Sequence, residues 1–378
     1  MTLPIRKFLG EIPPYVPGKP IEEVARELGV ADAIKLASNE NPIGVSPAAR
    51  EAIAGQLANL HRYPDSAAFE LKAALAARLG RPAESIVLGN GSDEIITLCC
   101  LALLEPGLSA VAPRPGFSTY ETAVKITGAS LRAVDLKDFR QDLPAMARAV
   151  DETTRIVILN NPHNPTGSAL SRDDLAAFLA DLPPDVLVIL DEAYIDFVTH
   201  AGVAWGLDWA DGERPVAVVW TFSKIYGLAG LRIGYAVLPV ELAQIFERIR
   251  MPFNINLPAQ AGALAALSDT AFVEETRRLV AEGLAYFYRQ FDQMGLWYRP
   301  SQANFVLVRI EPHPAAGGTD AALAAASPGL AAHQLLLREG VIIRPLDNYG
   351  LPDYIRVNVG RPEENQRFIE ALARVLKR

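Results

Sequence analysis

VAVVWTFSKIYGLAGLRIGY, residues 216–235, decides the fold class. Its first five residues, Val216–Trp220, are apolar without alternation, the pattern of a strand covered on both faces. The run passes straight into Thr221, Phe222, Ser223 and Lys224, so the lysine sits at or just beyond a strand's carboxyl end. Open α/β sheets place their ligands at that end. Gly227, Gly230 and Gly234 follow, permitting tight turns and close backbone approach. A lysine set between hydroxyls and glycines reads as a site residue, the alternative being a solvated charge on a loop.

Similar runs flank this one. Ser85–Leu88, Ala110–Ala112, Leu131–Val134, Arg155–Leu159, Val186–Leu190 and Ile233–Leu238 read as strands, and helical patterns at Ala67–Leu79, Asp93–Leu104 and Arg172–Ala180 alternate with them. This rhythm predicts an α/β domain on a mostly parallel, seven-stranded sheet, spanning 36–250. Beyond it, a helix at Val240–Arg250, long helices to Asp292, strands at Phe305–Arg309, Val341–Arg344 and Tyr354–Val359, and a last helix at Pro362–Leu376 predict a smaller α+β domain over 251–378. Residues 1–35 read as an N-terminal arm and the start of the small domain. The proline-rich 1–20 part reads as an arm that lies on another surface, and a short helix is expected at Ile21–Leu28, stopped by Gly29. The Ala-, Gly- and Pro-biased 312–332 stretch predicts a surface loop with at most a weak helix at its centre.

Composition narrows the function classes. The 378 residues carry 36 basic and 44 acidic side chains, a formal charge of −8, which argues against a nucleic-acid-binding surface. Half the chain is apolar, yet no stretch approaches the ~18 consecutive apolar residues of a membrane span. The two cysteines, Cys99 and Cys100, are adjacent and lie in the apolar run Ile95–Leu104, so they read as buried core thiols without disulfide or metal spacing. The N-terminus lacks a signal-peptide core, and the expected home is the reducing cytoplasm. The five histidines show no metal spacing, and no metal site is expected.

Four further motifs carry chemistry. In VLVILDEAYIDF (186–197), Asp191 follows an apolar run, again at a strand's carboxyl end. A buried carboxylate needs a partner, either a salt bridge, a helix start, or a protonated ring nitrogen. Tyr194 can offer its phenol nearby. NNPHNPTG (160–167) demands an ordered turn and can present the Asn164 amide. VLGNGSDEII (87–96) leads a strand through glycines into a helix, either an ordinary N-cap at Ser92 or an anion site on free N–H groups. In GVIIRPLDNYGLPDYIRVNVG (340–360), Arg344 ends one strand and Arg356 lies inside the next, suited to grip a carboxylate bidentately if it faces a cleft.

Together these stretches resemble the fold-type I aminotransferases that use pyridoxal phosphate (PLP). PYVPGKPIEEVARELG (14–29), LASNENPIGVSP (36–47), RYPD (62–65), GNGSDE (89–94), PFNIN (252–256) and ANFVL (303–307) extend the likeness to the histidinol-phosphate aminotransferases over nearly the whole chain. The resemblance implies that Lys224 carries PLP as a Schiff base and later acts as the general base. It implies that Asp191 pairs with the pyridinium nitrogen, that Tyr194 and Asn164 bond the phenolic oxygen, and that Phe117 stacks on the ring. Ser92, Asp93, Ser223 and Arg232, assisted by Thr221, would hold the phosphate. Tyr63 would reach the cofactor of a neighbouring subunit, implying a homodimer with shared sites. Arg356 would bind the α-carboxylate of glutamate, and Arg344, Tyr15 and Asn254 the rest of the substrate. The implied reaction is reversible amino transfer between histidinol phosphate and 2-oxoglutarate, in histidine biosynthesis.

The chain departs from the family's common residues at Gly116, Phe117, His163 and Trp220. The nearest competing reading is an aromatic amino acid aminotransferase on the same scaffold. A phosphothreonine-type decarboxylase and a non-catalytic PLP-binding regulator are further alternatives. Phosphate and γ-carboxylate recognition by one cluster of Arg344, Arg356 and Tyr15 is the expected solution to dual specificity.

Overall fold

The computed structural model describes residues 3–14, 18–30, 32–212, 214–311, 313–314 and 321–377. Tyr15 lies outside the described residues. The chain divides into two compact units, the first made of Met1–Tyr15, Val45–His163 and Ala169–Val273, the second of Val16–Gly44, Asn164–Ser168 and Glu274–Arg378.

The first unit is built on a seven-stranded sheet. Its strands are β1 (Ile86–Gly89), β2 (Ser109–Arg114), β3 (Ser130–Asp135), β4 (Thr154–Asn160), β5 (Leu187–Asp191), β6 (Val216–Thr221) and β7 (Gly234–Val237). They lie in the order β1-β7-β6-β5-β4-β2-β3. Only β7 runs against the rest, pairing antiparallel with both β1 and β6. Every residue of β1, β5, β6 and β7 is buried, which is why these strands read as unbroken apolar runs. The edge strand β3 is half-exposed.

Helix α1 (Ser92–Leu103) lays Ile95, Ile96, Leu98, Cys99 and Cys100 into the core formed with the sheet. Both cysteines are buried and unpaired, and burial pushes the Cys100 thiol up to about 12. Each fully buried Ile, Leu or Val of this core contributes roughly 1.5–3 kcal/mol. Three helices went unanticipated: Pro47–Gly55, Ser118–Lys125 and Leu143–Arg148. Two of them open with a side-chain cap and a proline in the first turn, Ser46 accepting from the Ala49 N–H and Asp142 from the Ala145 N–H. The arm forms a single 3-10 turn at Lys7–Glu11 and leaves Leu3 and Ile5 exposed.

In the second unit, β8 (Tyr298–Arg299), β9 (Phe305–Arg309), β10 (Arg344–Pro345) and β11 (Tyr354–Asn358) form an antiparallel sheet in the order β10-β11-β9-β8. The expected single strand Val341–Arg344 is two strands. Val341–Ile342 pairs in parallel with Ile34–Lys35, and β10 pairs with β11. Apolar character runs through both halves, and only the hydrogen-bond partners divide them.

The weak helix expected at the centre of 312–332 forms at Ala321–Ala325, but the loop expected beyond it is a helix, Pro328–Arg338, capped by the Ser327 hydroxyl. The small residues there serve close packing: a Cβ on Gly329 would lie 2.5 Å from the Tyr354 carbonyl oxygen. The final helix Pro362–Leu376 buries Phe368, whose ring meets Phe287 edge-on at 5.6 Å.

Candidate active site

Strands β4, β5 and β6 run parallel, with Asn160 opposite Asp191 and Asp191 opposite Val219. Their carboxyl ends therefore deliver the residues that follow to one edge of the sheet. Asp191 is the last residue of β5 and is 3% exposed. The Tyr120 hydroxyl donates to one carboxylate oxygen at 2.5 Å, and the Ala193 N–H donates to the other at 3.1 Å. Burial pushes the Asp191 carboxyl up to about 6, against the pull of the Tyr120 and Ala193 donors and the Lys224 charge. An acid in this state is poised to pair with a buried cation.

Lys224 follows β6 by three residues, and its Nζ lies 5.7 Å from the centre of the buried Tyr194 ring. The turn before it is held by its hydroxyls. Thr221 Oγ1 donates to Ser223 Oγ at 2.9 Å and accepts from the Ser223 N–H at 3.1 Å.

The start of α1 is an anion cradle. Its N-cap is Gly91, at φ 81°, so no side chain closes the helix end and Ser92 is the first helical residue rather than the cap. The first N–H groups of the helix point outward from that end, with the dipole behind them. A Cβ on Gly91 would collide with the Arg232 guanidinium, which places that cation at the helix start. Arg232 Nη2 donates to Asp93 at 3.1 Å. Arg232 also holds a left-handed backbone at φ 54°, a strain of the kind that persists where function holds it. Asp93 orients Arg232 and can offer an anion its backbone N–H.

The remaining expected residues of this unit have plain placements. Phe117 is partly buried, its ring edge-on to Tyr120 at 5.8 Å. Tyr63 is 81% exposed and stacks on Phe253 at 4.5 Å. Both ends of the Asn254 amide are engaged: Nδ2 donates to Glu94 at 2.8 Å, and Oδ1 accepts from Arg250 at 3.1 Å. Tyr120 had not been singled out in the sequence; a tyrosine in an amphipathic helix carries no mark of the carboxylate it meets. Glu192 is a second buried acid, accepting from the Gly206 N–H at 2.6 Å, and burial pushes it up to about 8.

The second unit gathers the other half of the expected set. Arg356 is 5% exposed on β11 and donates to Asn164 Oδ1 at 2.5 Å and to the Ala37 carbonyl at 2.7 Å. Its guanidinium lies 5.3 Å from the centre of the Phe305 ring. Arg344, 8% exposed, stands directly across from Arg356 in the β10–β11 pair. Like charges directly opposite one another repel, and a bound anion relieves the repulsion. Among the described residues no cluster of three His, Cys, Asp or Glu side chains suits a metal ion, and no helix is long and apolar enough to cross a membrane.

Comparison with known proteins agrees with this chemistry. The pattern of the class I and II aminotransferases matches residues 31–372. The chain belongs to that family. A histidinol-phosphate aminotransferase 2 of Pseudomonas fluorescens is 45% identical, over 97% of this chain and 96% of the relative. A histidinol-phosphate aminotransferase of Moorella thermoacetica is 44% identical, over 98% of this chain and 92% of the relative. Among solved structures, the histidinol-phosphate aminotransferase of Sinorhizobium meliloti in complex with pyridoxal 5'-phosphate superposes with a TM-score of 0.86, at 29% identity, covering 100% of this chain and 98% of that one. The family fold is thus the fold-type I aminotransferase architecture anticipated from the motifs together.

Proposed function

We propose that the chain is a PLP-dependent histidinol-phosphate aminotransferase, moving an amino group reversibly between histidinol phosphate and 2-oxoglutarate. The observation that carries the cofactor reading is Asp191. Its carboxyl is buried at a strand's end, raised to about 6, and within electrostatic reach of Lys224. A protonated pyridine ring supplies the cation that such an acid favours, and the α1 start with Arg232 supplies the donors that a phosphate requires. The residues present therefore fit PLP.

When bound, PLP acts as an electron sink for the bond broken at the substrate's α-carbon. Asp191 would keep the ring nitrogen protonated through its opposite charge. Tyr194 and Asn164 would serve the phenolic oxygen, and Phe117 the ring. Ser92, Asp93, Ser223, Thr221 and Arg232 would hold the phosphate. Lys224 Nζ would hold the cofactor and, once free, would serve as the general base that lifts the proton from the substrate's α-carbon. Arg356, preset by Asn164 and the Ala37 carbonyl, binds the α-carboxylate of glutamate. Arg344 beside it takes the γ-carboxylate or the histidinol phosphate ester in turn, with Tyr15 assisting. Asn254 serves the substrate side through the α1 start that it braces.

The substrate reading rests on relatives of about 45% identity that share nearly the whole chain, and on a buried arginine pair suited to anions. A homodimer in the cytoplasm completes it. Leu57, Leu60, Tyr63, Phe69 and Met251 are all more than half exposed, an apolar surface that a second copy would cover, with Tyr63 reaching the partner's cofactor. The test is a spectral titration. Histidinol phosphate should convert the visible band of the bound cofactor to the amine form faster than phenylalanine does, and Lys224→Ala should lose both band and turnover. Preference for phenylalanine would favour an aromatic aminotransferase instead.

A further inference from the structure

His163 is completely buried in the turn between β4 and Asn164, and no role proposed above uses it. Its Nε2 lies 3.1 Å from the Pro115 carbonyl oxygen. That carbonyl belongs to the turn after β2 that carries Phe117. The two turns contain Pro115 and Pro162, neither of which has an N–H to donate. The Pro115 carbonyl lies in a partly buried turn, where an acceptor without a donor loses a hydrogen bond. The imidazole supplies the missing donor.

Both ends of this brace are otherwise fixed. On the His163 side, Asn161 Nδ2 donates to the Ala204 carbonyl at 2.9 Å, Asn161 Oδ1 accepts from the Leu170 N–H at 2.9 Å, and the Asn161 N–H donates to the Asp191 carbonyl at 2.8 Å. On the Pro115 side, a Cβ on Gly116 would lie 2.5 Å from the Pro113 carbonyl oxygen, so the turn is tight. The Tyr120 N–H donates to the Phe117 carbonyl at 3.0 Å, and the Tyr120 hydroxyl reaches Asp191.

We infer that His163 is a positioning residue, whose Nε2–H tautomer pins the Pro115 carbonyl and so fixes Phe117 and Tyr120 against the ring and Asp191. The tautomer follows from the chemistry, because a carbonyl oxygen only accepts, so the nitrogen facing it must carry the proton. The inference rests on the PLP reading and adds to it a residue that touches neither cofactor nor substrate.

The test uses cofactor binding to the stripped protein. His163→Ala should weaken PLP binding by about three- to tenfold, the worth of one hydrogen bond, and reduce the visible circular dichroism of the bound cofactor. His163→Gln, whose amide nitrogen can take the place of Nε2, should restore both. KM for the amino donor should move less than kcat. An alanine variant that folds and binds PLP with wild-type affinity and dichroism would overturn the inference. If that variant does not fold, nitrogen-15 spectra of histidine in the wild-type holoenzyme decide the matter, since a buried His163 with Nδ1–H and bare Nε2 cannot make this bond. Failure of the wild-type protein to bind PLP would instead defeat the functional reading itself.

Discussion

Asp191→Asn separates what the site costs the fold from what it does for the reaction. Burial moves the carboxyl from its ordinary 3.8 to about 6. As pH rises between those values, the unfolded chain releases this proton while the folded chain retains it. The cofactor-free protein therefore loses stability through that window, and the loss levels off above about pH 6. Two pH units at about 1.4 kcal/mol each amount to ~3 kcal/mol. Asparagine has nearly the same shape and no charge to desolvate. Its oxygen can still accept from Tyr120, while its NH2 meets the Ala193 N–H and costs part of the gain. The PLP-stripped variant should thus be about 1–3 kcal/mol more stable than wild type at pH 7 and lose that advantage as pH falls toward 4. Glu192 is present in both proteins, and loss of the Asp191 charge relaxes its own raised carboxyl, which adds to the variant's gain in the same direction. Urea unfolding of the stripped proteins across this pH range, read by circular dichroism and tryptophan emission, measures the effect. With PLP added the order should reverse, because the variant cannot hold the ring nitrogen protonated. A stability difference that does not change with pH would show that the carboxyl is not desolvated as described.

Other perturbations probe separate parts of the site. Gly91→Ala places a methyl group against the Arg232 guanidinium at a left-handed φ, and should weaken PLP binding at least about tenfold while the far-ultraviolet dichroism stays unchanged. Arg356→Lys cannot bridge Asn164 and Ala37 together, and should raise KM for glutamate by about 10- to 100-fold with the cofactor band intact. Arg344→Ala should raise KM for both histidinol phosphate and 2-oxoglutarate; unchanged values for both would refute a shared anion site. Sedimentation should show a dimer, and charged substitution at Leu57 and Leu60 should shift it toward monomer.

The sequence by itself determined the sheet and the polar residues at the ends of its strands. Strands buried on both faces must be apolar throughout, so VAVVW, VLVIL and RIVIL could be recognised, and Lys224, Asp191 and Asn164 stand out because polar groups follow such runs directly. Glycine and proline punctuation likewise marked the α1 start and the ordered turn before Asn164. Strand direction was not written there, since β7 has the same apolar character as the strands it opposes. Nor was the division of residues 341–345 between two sheets, which pairing alone creates. The small residues around Gly329 suggested a loop, yet they pack closely against backbone carbonyls. Only the tertiary structure joined Tyr120 to Asp191, His163 to Pro115, and Arg356 to Asn164. These pairs are 71, 48 and 192 residues apart, and one chain without a partner pattern records what each residue is, not which distant group it meets.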